Sequence, residues 1–125
     1  MIWGPVWSIS RAAKDLEADI KVISLFEEDM SMNDLRFKTS LICEQDNNIV
    51  IAAASENDKT HFVLAKSKNL ENTFDMGALF KAHIASLGIK GGGNPFVAQG
   101  GANQVLDAQA IIESIETALE NIIEG

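Results

Sequence analysis

Residues 88–101 read Gly-Ile-Lys-Gly-Gly-Gly-Asn-Pro-Phe-Val-Ala-Gln-Gly-Gly and hold six of the nine glycines of the 125-residue chain. Glycine loses more backbone entropy on folding than any other residue, so clustering it in one segment does not serve stability by itself. Two physical explanations compete. The bare amides of Lys90, Gly91, Gly92, Gly93 and Asn94 can form an anion-binding concavity that lets a phosphate approach the main chain. Alternatively, Gly88 closes a helix as its C′ residue and the remaining glycines serve two tight turns.

A single last helix follows. Ala108, Ile111, Ile112, Ile115, Ala118, Leu119 and Ile122 recur at helical spacing, with Glu113, Glu116, Glu120 and Glu124 on the other side. That spacing predicts a helix over residues 106–123 with a solvated acidic face rather than a metal site. Upstream, Asp75 is placed to cap a helix with Met76, Leu79, Phe80, Ile84 and Leu87 on one stripe, ended by Gly88. Ser31 with Asp34 resembles a capping box and opens a helix through Leu35, Thr39 and Ile42 to about residue 45. Residues 49–54 and 60–65 are β-rich and flank Ser55-Glu-Asn-Asp58, which predicts a hairpin. Residues 20–26 predict a strand with apolar residues on both faces, as in the middle of a sheet. Residues 97–99 form a short extended segment, and residues 69–74 a loop. Ile9, Ala12, Ala13 and Leu16 are spaced for a short helix over residues 8–18. Together these define a layered α/β (α+β) domain: a mixed β-sheet with a hairpin, covered by about three helices, with the Gly-rich loop before the C-terminal helix.

The glycine segment also carries a family resemblance. Lys90-Gly-Gly-Gly-Asn-Pro-Phe-Val-Ala-Gln-Gly-Gly101 resembles the signature of the DHH-associated domain, the C-terminal module of alanyl-tRNA synthetases and their free-standing editing relatives. The remaining elements fall into the same order over residues 18–123. The resemblance implies residues 1–17 as the remnant of a helical linker and 18–125 as the domain. It implies a tRNA-binding module that helps position tRNA(Ala) for aminoacylation or editing by its parent protein. The contacts would come from Lys90, Gly91, Gly92, Gly93, Asn94, Gln99, Gly100 and Gly101, and the partners would be tRNA, bound weakly in isolation, and the parent's catalytic or editing domains. The alternative is a dimerisation or interaction module without RNA contact, in which Trp3 and Trp7 pack against the domain or a second copy. Where the phosphoesterase branch of the family has His after the glycine run, this chain has Asn94. Where the synthetases usually have Arg and then an acid, it has Asn94 and Phe96. The loss of the Arg removes a phosphate fork.

Chemistry of other kinds finds no footing. His61 and His83 belong to no metal-binding spacing, and no G-K-[ST] closes the glycine run as a Walker loop would. The expectation is no metal, no cofactor and no catalysis by this chain alone. Cys43 is the one cysteine, which rules out an internal disulfide and suits a reducing compartment. No apolar run nears the roughly 18 residues that span a membrane, and the start of the chain lacks the basic segment of a signal peptide, so a cytoplasmic location is expected. A net charge of −8 argues against a large nucleic-acid footprint. Lys59, Lys66, Lys68, Lys81 and Lys90 nevertheless cluster in sequence on or before the glycine segment.

Overall fold

The computed structural model describes residues 6–13, 18–70 and 75–124. Six strands form one sheet in the order β1-β2-β3-β4-β6-β5. They are β1 (Val6–Ala13), β2 (Ala18–Glu27), β3 (Asn48–Glu56), β4 (Lys59–Lys66), β5 (Lys90–Gly93) and β6 (Val97–Ala102). Three helices cover it: α1 (Met32–Cys43), α2 (Met76–His83) and α3 (Ala108–Glu124). β2 and β3 are parallel, joined through α1, and every other pair is antiparallel. The layered mixed sheet expected from the pattern is the observed architecture.

The α1 and α2 caps follow the sequence signals. Ser31 Oγ accepts the amide of Asp34 at 3.2 Å, and Asp75 Oδ1 accepts that of Ala78 at 3.0 Å. α2 passes after His83 into a 3₁₀ turn, Ala85–Leu87, closed by Gly88 in the left-handed region at φ 87°. Leu87, expected on the buried stripe, is exposed there because the tighter turn rotates it off the face.

Alternation along the strands gives the sheet two different faces. On one, Ile20, Val22, Ile49, Ile51, Phe62, Leu64 and Ala98 pack under α2 and α3, with Phe80, Ile84, Ile112, Ile115 and Leu119 from the helices. On the other, Leu25, Val50, Ala52, Ala54 and Val63 pack under α1 through Leu35. A partly buried ion pair between Lys38 on α1 and Glu27 on β2 ties the helix down. Asn48 Nδ2 donates to the Ile42 carbonyl at the other end, 2.9 Å away.

Two expectations are corrected. Residues 6–13 are strand β1, paired antiparallel with β2 from Val6 opposite Leu25 to Ala13 opposite Ala18. The helical spacing of Ile9, Ala12 and Ala13 is too short a signal to outweigh a ladder of backbone hydrogen bonds to a neighbouring strand. The rest of that proposed helix, residues 14–17, and Trp3 lie outside the described residues. The second correction concerns residues 90–93, read as loop. They are β5, the outer strand of a hairpin with β6, running from Lys90 opposite Gly101 to Gly93 opposite Ala98.

The glycines of this hairpin seat Phe80, which is wholly buried. A Cβ on Gly100 would lie 2.6 Å from the Phe80 ring and 2.2 Å from the Lys90 carbonyl oxygen. One on Gly91, at φ 152°, would lie 2.8 Å from the same ring. Gly92, between them on the opposite face, would meet nothing within 4 Å. Gly100→Ala is therefore expected to lower the unfolding free energy by about 2 kcal/mol through overpacking. Gly92→Ala should change it by no more than about 0.5 kcal/mol. Urea unfolding of the two variants beside the parent checks this, and equal losses would show that Phe80 does not bear on the hairpin.

Candidate nucleic-acid interface

The β5–β6 turn is built by Asn94. Its Oδ1 accepts the amides of Phe96 at 2.8 Å and Val97 at 3.0 Å, and its own amide donates to Val97 O at 2.9 Å. The turn's carbonyls then serve α2: Met76 N donates to Pro95 O at 3.0 Å and Gly77 N to Asn94 O at 3.1 Å. With Ala78 N bonded to Asp75, the first amides of α2 are consumed inside the protein. This helix start is not available to a phosphate, although helix N-termini often are. Asn94 shapes the turn, and its side-chain oxygen is spent on the backbone.

The pairing register divides the remaining expected site residues between two faces. Gly91, Gly93 and Gly100 lie on the face under α2, opposite one another or opposite buried Ala98. Lys90, Gly92, Gln99 and Gly101 lie on the other. Through β4 that face continues to His61, Val63 and Ala65, which pair with Gly101, Gln99 and Val97. It is the face that α1 covers only in part, because α1 packs over β3 and β4 while α2, the helix that packs on β5 and β6, lies on the opposite face. The structure thus brings four of the eight residues onto one helix-free surface floored by glycine, and assigns the other four to the hairpin's own packing and turn.

Beside this surface α1 and the β4–β6 strands enclose an open groove of about 920 Å³. Val63, Ala65 and Val97 make its floor. Arg36, Phe37, Ser40 and Cys43 line it from α1, and Lys66, Lys68 and Phe96 from the opposite side. Lys66 Nζ stands 5.0 Å from the centroid of the Phe96 ring, a cation–π distance. Phe37 keeps 66% of its surface exposed. Burial pushes the Cys43 thiol up to about 11, so it is mostly protonated at neutral pH and reacts slowly there. None of these groove residues was marked as a site by the sequence. The available signal was Phe37 and Leu41, four apart on the outward side of a helix whose inward side is Leu35 and Thr39.

The histidines are structural. His61 Nε2 is 3.0 Å from Glu56 Oε1 across the hairpin, and His83 Nδ1 is 3.3 Å from Ser114 Oγ of α3. Among the described residues no group of three or more His, Cys, Asp or Glu is placed to hold a metal ion, and no helix is long and apolar enough to cross a membrane. The acidic face of α3 is less solvated than its spacing suggests, since Glu116 is half-buried over β2. Burial raises its pKa. The buried Ser24 hydroxyl opposes the shift, though Ser24 Oγ has no partner at ordinary hydrogen-bond length, and Glu113 and Glu120 add to it.

The geometry now has relatives to stand beside. The DHHA1 domain family model matches residues 19–121, and the chain belongs to that family. It is 34% identical over 104 residues to the alanine–tRNA ligase of Fusobacterium nucleatum, covering 80% of this chain and 12% of the ligase. It is 33% identical over 76 residues to the alanine–tRNA ligase of Staphylococcus aureus, covering 61% of this chain and 9% of the ligase. The chain therefore spans between 9% and 12% of the length of these curated relatives. Its fold is similar to that of the C-Ala domain from Aquifex aeolicus alanyl-tRNA synthetase, with a TM-score of 0.70 over 94% of this chain and 99% of that domain at 20% identity.

Glu116 supplies a test of the α3 packing. A carboxyl whose folded pKa is raised binds its proton more tightly in the native state, so it favours folding below the unfolded pKa and loses that advantage as pH rises through the folded value. Glu116→Gln is expected to raise the thermal midpoint at neutral pH, with the difference closing as pH falls through the carboxylate range. A pH series of melting curves for both proteins would show it. A difference that stays constant with pH would mean that the carboxylate is not desolvated.

Proposed function

We propose that this domain is a tRNA-binding module that helps position tRNA(Ala) for aminoacylation or editing by its parent protein. By itself it catalyses neither reaction. The observation that carries this reading is the helix-free face of the β4–β6–β5 sheet, where Lys90, Gly92, Gln99 and Gly101 lie together beside a groove bearing Arg36, Lys66 and Lys68. The relationship to alanine–tRNA ligases supports the choice of RNA. Shape and backbone recognition of folded RNA needs few base-specific groups, and a flat glycine surface lets a sugar–phosphate chain lie against the main chain.

The net charge of −8 limits the affinity. Few lysines face this surface, and each phosphate contact adds one small step to the salt dependence. Binding is expected on the order of micromolar or weaker, falling steeply with salt. Filter retention of tRNA across a salt series measures it. Lys90→Ala should weaken binding and reduce the salt slope by about one contact. Gly92→Val should weaken it further, by lifting the RNA off the strand, while leaving the melting temperature near that of the parent because its Cβ points into open space. No retention at low salt, or unchanged binding by both folded variants, would defeat the reading. Concentration-dependent dimerisation in sedimentation, abolished by these same changes, would then favour an interaction module.

A further inference from the structure

α1 is anchored through Leu35, Thr39 and Ile42, yet it turns Phe37 outward at 66% exposure into the groove that it forms with the β4–β6 strands. A large apolar ring held in water gains nothing from the hydrophobic effect in the isolated domain. Around it the polarity departs from the rest of the molecule. The exposed cations Arg36 and Lys68 balance Glu44 and Asp46, with Lys66 buried beneath Phe96, so in a chain of net charge −8 this groove is a locally neutral region. Ser40 and Asn33 add hydrogen-bonding groups along the α1 wall. The volume of about 920 Å³ lies within the range of sites that take molecules of nucleotide size. The groove also opens onto the face assigned to RNA, since Val97 on its floor is two residues along β6 from Gln99.

We propose that this groove takes an unpaired nucleotide of the bound RNA, its base stacked on Phe37 and its phosphate beside Arg36 and Lys68. The proposal rests on the RNA-binding reading above. An exposed aromatic face with neighbouring cations is the combination that holds single-stranded bases without choosing among them. A helical peptide fits less well, because such a partner needs several apolar anchors one turn apart and the floor offers only Val63, Ala65 and Val97. A paired base is excluded by shape, since only a base splayed out of its stack can enter a recess beside a helix.

Cys43 lines the groove and is the one cysteine of the chain, so its slow alkylation by a maleimide, followed at mildly alkaline pH where the thiolate fraction is larger, reports occupancy. The rate is to be followed in the full chain with no RNA, with tRNA, with a short unstructured RNA oligonucleotide and with an RNA duplex of the same length. Expected is an about fivefold or greater slowing by tRNA and by the single strand, and none by the duplex. Phe37→Ala and Phe37→Leu should abolish the protection and weaken single-strand binding about fivefold or more, whereas Phe37→Trp should retain both because only the ring is required. If tRNA is retained on filters while Cys43 reacts at its free rate, the groove is empty in the complex and this inference fails with the RNA reading intact. If Phe37→Leu protects as well as the parent, stacking is refuted. If no RNA is retained at all, both fail together. Protection that appears without RNA as the protein is concentrated would assign the groove to a second copy and also overturn the proposal.

Discussion

The contact on which the functional end of this domain depends is the Phe80 ring lying against the glycine pair Gly91 and Gly100. No other residue type lets α2 approach the β5–β6 hairpin so closely, because a Cβ at either position would occupy the ring's space. Once the ring is seated, the hairpin turn meets the start of α2, and the carbonyls of Asn94 and Pro95 take up amides that would otherwise be unsatisfied. One side of the glycine hairpin thereby packs against α2, and the other side faces outward. The outward surface is a consequence of how the opposite surface is packed.

The sheet is asymmetric for the same reason. α2 and α3 together cover one face from β1 to β5, while α1 alone covers the other over β3 and β4. A single short helix cannot span six strands, so the outer part of that face stays open. Its strands can afford exposure because it is made of Gln99, Gly92, Gly101 and Lys90 rather than of apolar residues. The groove forms at the step between the covered and the open part, and its mixed lining of rings, cations and small apolar groups reflects that boundary.

Charge sets the scale of what such a surface does. An acidic domain repels RNA at long range, so association depends on a local basic neighbourhood within a Debye length, about 8–10 Å at ordinary salt. That suits a module acting beside the other domains of a longer protein, where a high effective concentration replaces intrinsic affinity. It also directs attention to stacking and main-chain contact, whose strength is insensitive to net charge.

Much of the architecture was legible without coordinates. The apolar face of α3, the capping residues Ser31 and Asp75, the β3–β4 hairpin and the buried strand β2 follow from local periodicity and side-chain chemistry, which the sequence by itself determines. The resemblance in residues 90–101 reached the right family from one motif. Tertiary structure decided the rest. β1 is a strand because β2 offers it a ladder, and β5 is a strand because Phe80, ten residues upstream, needs glycine beneath it. Sequence marked all the glycines alike, since each lacks a side chain. Only the register across β6 separates Gly91 and Gly100, which make room for a ring, from Gly92, which faces open space. Nor could Phe37, Cys43, Lys66 and Phe96 be joined into one groove from the sequence. They come from a helix, a strand and a turn that are neighbours solely because β6 pairs with β4 and leaves β5 at the edge, a choice made by long-range packing and invisible to any local pattern.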